Sequence, residues 1–239
     1  MSYLRNGSIN LRKGSEGNPV KYIQERLGIQ MDGNFGRHTD AAARSFQRRN
    51  GLTVDGIIGP ITFVVLMTGD LVITFDRINQ KLTLRLEVTR YGISKIFECS
   101  AVSGLPRDHP RTRQLIREGR SELSRRVNYM DIRHEDVADV GPIPDRTYEL
   151  ELRSNMPFDE SGGGWGFGGW YLDPGALLRF SYRFGLGARG GFFLHQDGNG
   201  IGTGGCIGVS KIVDMRKLQE ILIKYQSAQS KTSIDVSVT

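Results

Sequence analysis

The stretch Gly191–Ser210 reads GFFLHQDGNGIGTGGCIGVS. It sets one histidine, His195, at the end of an apolar run and one cysteine, Cys206, eleven residues later. A thiol attacks a carbonyl as the thiolate, and a neighbouring imidazole is the usual means of making one. Gly202, Gly204 and Gly205 leave little side chain around the sulfur, so a substrate could reach it. The N–H groups of a glycine turn can also point at a developing oxyanion. These residues therefore read as a cysteine acyl-transfer site. The competing reading is a buried Cys serving as a small hydrophobe beside a satisfied core His; the glycines around the sulfur favour chemistry.

Such a pair must be held by strands. From Leu71 onward the apolar pattern has period 2, which predicts strands at Leu71–Phe75, Leu82–Val88, Ile93–Val102, Arg146–Leu152, Gly191–His195 and Ser233–Val238. Ser210–Gln226 predicts a helix that turns Ile212, Met215, Leu218, Ile221, Leu222 and Tyr225 inward. Pro106–Val140 interrupts the strands with His109, His134 and many arginines, and a helix is expected near Thr112–Val127. Its charge is either a solvated face or a basic lid over substrate carboxylates. Ser161–Trp170 (SGGGWGFGGW) is expected to be a loop whose Trp165 and Trp170 either stack on a sugar or peptide substrate or pack onto the core.

Ahead of the strands lies an internal repeat. DGNFGRHT (Asp32–Thr39) and DGIIGPIT (Asp55–Thr62) both fit D-G-x-x-G-x-x-T. Asp-Gly suits a tight turn and the Thr suits the first turn of a helix. Pro19–Leu27, Thr39–Asn50 and a segment starting at Thr62 carry helical spacing. The expected class is therefore α+β: a small three-helix N-terminal domain, 1–69, then a β-rich catalytic domain, 70–239, with the boundary at Gly69-Asp70.

Net charge of +6 and a pI of about 9.4 would draw the chain to anionic polymers, but no nucleic-acid motif accompanies the charge. No apolar run approaches the roughly 18 residues of a membrane span. The N-terminus MSYLRNGSIN lacks a signal-peptide core, so the expected protein is made in the cytoplasm. Two cysteines make no disulfide framework; Cys99, in IFECSAV, reads as a core residue, and a Cys99–Cys206 bridge would cap the nucleophile. His195-x-Asp197 has the spacing of two zinc ligands, but a third would have to come from His109 or His134, whose contexts offer no support. No metal and no cofactor are expected.

Two resemblances sharpen this reading. Leu11-Arg-Lys-Gly-Ser, Asp32-Gly-x-Phe-Gly, Phe46-Gln47, Gly51-Leu52, Val54-Asp55-Gly56 and Gly59-Pro60-x-Thr62 resemble the small peptidoglycan-binding domains. From about Leu71 onward, Ser103-Gly104, Gly141-Pro142-Ile143-Pro144-x-x-Thr147-Tyr148, Gly191–His195 and Gly202–Val209 resemble the L,D-transpeptidase fold, most similarly the branch of type VI secretion effectors. The chain departs from the commoner members: no His precedes Gly205-Cys206, and Gly208 stands where an Arg is usual.

The resemblance implies a ping-pong acyl transfer on a stem tetrapeptide. Cys206 is then the nucleophile and His195 its base. The N–H groups of Gly205 and Cys206 bind the oxyanion, Thr203 and Gly204 line the substrate, and either Asp197 or a backbone carbonyl near Gln196 orients the imidazole. Resolution of the acyl-enzyme by an amine gives cross-linking or D-amino-acid exchange; resolution by water gives carboxypeptidase cleavage. The implied partners are peptidoglycan, an immunity protein and a secretion-machine component, with action in the periplasm or wall of a target bacterium. A phage endolysin and a noncatalytic wall-binding protein are the alternatives.

Overall fold

The two Asp-Gly turns are built alike, each around one buried glutamine. The computed structural model describes residues 4–5, 8–86, 95–152, 156–158, 167–173, 192–197 and 202–239. Two short strands, β1 (Leu4–Arg5) and β2 (Ser8–Ile9), pair antiparallel and precede three helices, α1 (Asn18–Leu27), α2 (Arg37–Arg49) and α3 (Pro60–Leu66). From α1, Gln24 Nε2 reaches Asp32 Oδ1 at 2.6 Å, the Asn34 carbonyl at 3.0 Å and Thr39 Oγ1 at 3.0 Å, while Gln24 Oε1 accepts the Gly33 N–H at 2.9 Å. From α2, Gln47 repeats the pattern on Asp55 (2.7 Å), the Ile57 carbonyl (2.9 Å), Thr62 (3.3 Å) and the Gly56 N–H (2.9 Å).

Each Asp also accepts the N–H two residues on, from Asn34 and Ile57, closing an Asx turn. Gly33 and Gly56 take φ of +77° and +71°, the left-handed region where a Cβ is strained. The Thr of each repeat is the third helical residue. The helices therefore start two residues earlier than the pattern predicts, with Pro60 in the first turn of α3, where no N–H is needed.

Two compact units emerge. The first comprises Met1–Val72, Thr83–Glu98 and Lys217–Lys231; the second comprises Ile73–Leu82, Cys99–Arg216 and Thr232–Thr239. Val20, Ile23, Phe35, Ala43, Ile58 and Phe63 are buried in the first. There the Tyr225 hydroxyl accepts the Leu71 N–H (3.0 Å) and donates to the Gly69 carbonyl (3.1 Å), fixing the segment where the helical repeat gives way to strands.

Nine longer strands follow among the described residues: β3 (Leu71–Asp76), β4 (Lys81–Leu86), β5 (Lys95–Gly104), β6 (Thr147–Glu151), β7 (Met156–Phe158), β8 (Phe167–Asp173), β9 (Phe192–Gln196), β10 (Thr203–Val209) and β11 (Ser233–Val238). In the second unit β11 pairs parallel with β3 and antiparallel with β6. β8 pairs antiparallel with β6, β7 and β9. β9 pairs parallel with β10, and β10 antiparallel with β5. The C-terminal helix, α5, spans Ile212–Gln229.

Three expectations are corrected. The helix predicted near Thr112–Val127 is α4, Pro110–Arg117. His109 caps it by accepting the Arg111 N–H, and Gly119 at φ +105° ends it. Leu115 of α4 joins Leu105, Leu123, Tyr129 and Val140 in a small core, which orders the following loop by packing instead of helix. The predicted loop Ser161–Trp170 ends in β8, which already includes Phe167–Trp170; 161–166 lie outside the described residues. The glycine-rich segment around Cys206 is a strand, not a turn.

Replacing Gln47 by Leu leaves the Gly56 N–H and the Ile57 carbonyl without their buried partner. It should lower stability by on the order of 2–4 kcal/mol, read as a fall in the urea midpoint with the slope unchanged. A midpoint equal to wild type would show that the glutamine is not the anchor of its turn.

Candidate active site

Parallel register puts the histidine and the cysteine on one face. Leu194 pairs with Ile207, His195 with Gly208 and Gln196 with Val209. Paired residues of parallel strands point to the same side, and residues two apart on a strand share a face. By alternation along β10, Cys206 takes the face of Gly208, and so of His195. The other face is apolar: Leu194, Ile207 and Val209 are fully buried. Cys206 is partly exposed, His195 mostly buried.

The link between these strands is short. Parallel neighbours usually need a dozen or more residues to cross over; here β9 ends at Gln196 and β10 begins at Thr203. Asp197 closes that connection from both ends. Its N–H donates to the Val209 carbonyl at 2.9 Å, and its two carboxylate oxygens accept the Gly202 N–H at 3.2 Å each. Gly208 gives the closure its room, since a Cβ there would sit 2.6 Å from Thr203 Cγ2 and 3.0 Å from Asp197 Cβ. Burial pushes the Asp197 carboxyl up to about 6, with the Gly202 N–H opposing the shift.

The imidazole is oriented by backbone. His195 Nδ1 lies 2.6 Å from the Gln196 carbonyl. A carbonyl only accepts, so Nδ1 must carry the proton, and in the neutral ring Nε2 is left as the basic nitrogen. Burial pulls the His195 pKa below its ordinary value, the carbonyl contact opposing it. The ring is thus neutral at pH 7. Of the two candidate orienting groups, the Gln196 carbonyl is on the ring and the Asp197 carboxylate is on Gly202. On β8, Gly169 is the partner of His195, and a Cβ there would press to 3.0 Å against His195 Cβ, so its absence makes space for the ring.

Cys206 sits in a broken ladder. On the β5 side, Thr203 pairs with Gly104 and Gly208 with Val102, so β10 takes five residue steps where β5 takes two. Bulges of this kind re-aim side chains next to functional sites. Gly204 and Gly205 lie within it, and a Cβ on Gly204 would lie 2.2 Å from the Asp139 carbonyl. Gly205 has φ +97°, a conformation that favours glycine. Thr203 is buried, and its hydroxyl donates to the Cys206 carbonyl at 2.5 Å. That hydroxyl is spent inside the strand and does not face a substrate as expected. Neither Cys99 nor Cys206 is in a disulfide, so no bridge caps the sulfur.

Of the two readings of Trp170, packing onto the core holds and contact with a substrate does not. It pairs with Leu194 on the core face and is 1% exposed, so it packs and cannot stack on a ligand at the sulfur. Trp165 lies outside the described residues. Tyr171 and Phe193 share the His195 face, paired across β8 and β9 with rings edge-to-face at 5.6 Å. Alternation from His195 along the predicted strand Gly191–His195 could have found Phe193; Tyr171 follows the expected loop and falls in no predicted strand. His134 packs edge-on against Tyr129, and among the described residues no three His, Cys, Asp or Glu side chains gather as a metal set. Most arginines of the α4 segment are solvent-exposed, and Arg120 is held by Asp139 (2.7 Å) and Glu122.

Comparison with known proteins identifies the N-terminal part. Residues 16–66 match the family model described as "Putative peptidoglycan binding domain". The chain is 41% identical over 61 residues to a zinc D-Ala-D-Ala carboxypeptidase of Streptomyces albus G, covering 22% of this chain and 24% of that protein. It is 38% identical over 60 residues to the N-acetylmuramoyl-L-alanine amidase CwlL of Bacillus licheniformis, covering 22% of this chain and 17% of that protein. The chain thus spans a quarter or less of the length of these curated relatives. Among solved structures it is similar to an L,D-transpeptidase (Yku) from Stackebrandtia nassauensis, with 14% identity, coverage of 98% of this chain and 97% of that one, and a TM-score of 0.37. The helical repeat thus carries the pattern of a peptidoglycan-binding module.

The raised Asp197 pKa has a thermodynamic consequence. Between about pH 4 and 6 the folded chain holds a proton that the unfolded chain has shed, so its contribution to stability falls as pH rises through that window and stays lost above it. Asp197→Asn keeps an acceptor for Gly202 without the charge. Its stability relative to wild type should rise by on the order of 2 kcal/mol between pH 4 and 7, measured by denaturant titration at each pH. A difference that does not change with pH would contradict the assignment.

Proposed function

We propose that the protein is a cysteine-dependent peptidoglycan-modifying enzyme, an L,D-transpeptidase or L,D-carboxypeptidase acting on stem tetrapeptides. The observation that carries this reading is the shared face of His195 and Cys206, with Nδ1 tied to the Gln196 carbonyl and Nε2 left basic. The N-terminal module, proposed to span 1–69, supports it by supplying a means of holding the wall near a catalytic domain, 70–239.

In this reading Nε2 of neutral His195 takes the proton of Cys206 as the sulfur attacks the carbonyl that precedes the terminal D-alanine. The C–S bond forms, and the tetrahedral oxyanion is met by N–H groups of the Gly205–Cys206 bulge. Collapse breaks the peptide C–N bond, His195 returns the proton to the leaving D-alanine amine, and a thioester remains on Cys206. Water or an acceptor amine, deprotonated by the same ring, resolves it. Tyr171 and Phe193 flank this face as the aromatic surface against which a peptide could lie. The resemblance of the β-rich segment to type VI secretion effectors suggests the cellular setting: an antibacterial toxin with an immunity protein as its counterpart.

Tetrapeptide muropeptides incubated with the purified protein should lose D-alanine, or exchange it for an added D-amino acid, as weighed by mass spectrometry. Cys206→Ala should abolish both while the protein stays folded. Directed to the periplasm of a susceptible cell, the wild type should lyse or misshape it and Cys206→Ala should not. Unchanged muropeptides with wild type would leave a noncatalytic wall binder.

The pH profile is a second check. The base must be neutral, and burial holds its pKa below 6.5. The acid limb of kcat/KM should therefore fall at a pH below that of a solvent-exposed histidine. A limb at or above 6.5 would contradict a buried, neutral base.

A further inference from the structure

We infer that Ser103 is a positioning residue for Cys206, linking the Gly141–Pro144 loop to the direction of the sulfur. The inference rests on the reading of Cys206 as nucleophile and adds a residue to its machinery.

Ser103 lies on β5 between Val102 and Gly104, opposite the stretch of β10 where five residue steps meet two. A bulge leaves backbone groups that the ladder cannot pair. The Ser103 hydroxyl fills one of these gaps: it donates to the Cys206 carbonyl at 2.6 Å and accepts the Ile143 N–H at 2.8 Å. A hydroxyl has one proton and the Ile143 amide can only donate, so the direction of both bonds is fixed by chemistry. The Thr203 hydroxyl reaches the same carbonyl at 2.5 Å. Both lone-pair directions of the Cys206 oxygen are then occupied, by side chains from two different strands.

Holding that oxygen holds the peptide plane between Cys206 and Ile207. It thereby fixes the backbone torsion that decides where the Cys206 side chain points. Ser103 is buried, at 5% exposure, so it touches no substrate. Its role is to keep the thiol aimed along the face of His195. Removing its hydroxyl frees the carbonyl from one of its two clamps and leaves a buried Ile143 N–H without a partner.

The test uses alkylation of Cys206 by iodoacetamide in the full chain, with labelled peptides identified by mass spectrometry and rates followed from pH 5 to 10. In wild type, base assistance by neutral His195 should give a plateau of reactivity well below the ordinary thiol range near pKa 8.5. His195→Ala should erase the plateau. Ser103→Ala should reduce it tenfold or more, leaving a rate that climbs only with ordinary thiol ionisation; kcat on muropeptides should fall with it while KM stays near wild type. Thr203→Val should act in the same direction, and Thr203→Ser, which keeps the hydroxyl, should restore the plateau. That pair of variants keeps the question answerable if Ser103→Ala does not fold.

A Ser103→Ala profile that superimposes on wild type would overturn the inference, as would a Thr203→Ser variant that loses the plateau as completely as Thr203→Val. A wild type without any plateau would overturn it too. Because alkylation needs no peptidoglycan, the two readings fail separately. A plateau that depends on Ser103 in a protein inert toward muropeptides would sink the proposed activity and keep the clamp. Cys206-dependent turnover that is indifferent to Ser103 would do the reverse.

Discussion

The parallel pairing of β9 with β10 is the constraint on which the site depends. It places an imidazole and a thiol on one face of a sheet whose other face is filled by Leu194, Ile207, Val209 and Trp170. Slipping the register by one residue would turn His195 into that core and expose Leu194, at a cost no small domain could absorb. The placement of His195 beside β10 is therefore stabilised by the same apolar burial that stabilises the fold. The short crossover that the pairing requires is closed by Asp197, which explains why a carboxylate two residues from the histidine serves the backbone and not the ring.

The electrostatics follow from this burial. A carbonyl, unlike a carboxylate, brings no charge that would stabilise an imidazolium, so His195 stays neutral and its pKa is driven down by desolvation. For the proposed transfer, alignment matters more than charge, because the proton would move as the sulfur attacks. Hydroxyls from Ser103 and Thr203 on one carbonyl are suited to supply that alignment.

Much of this was legible in the sequence. The repeated D-G-x-x-G-x-x-T announced two like turns because a tight turn leaves few choices of residue, and the period-2 runs located β3 to β6 and β11 because one face of each is buried. The His195 and Cys206 spacing pointed to chemistry, but only tertiary pairing could set them on one face. Gln24 and Gln47 passed unnoticed as anchors because a glutamine on a helix looks solvated until its partners, eight or more residues away, are known. For Trp170 the glycines around it left substrate stacking and core packing both open; strand pairing with β9 decides for packing. The α4 helix ended early because Gly119 stops it and a local apolar cluster takes over.

The covalent intermediate is the most direct witness to the central claim that Cys206 attacks a stem peptide with His195 as its base. Rapid mixing with a tetrapeptide muropeptide, quenching in acid and weighing the intact protein should reveal an adduct of the substrate minus D-alanine, mapped to Cys206 and absent in His195→Ala. Turnover of the muropeptide with no such adduct at any time, or an adduct on another residue, would contradict the account.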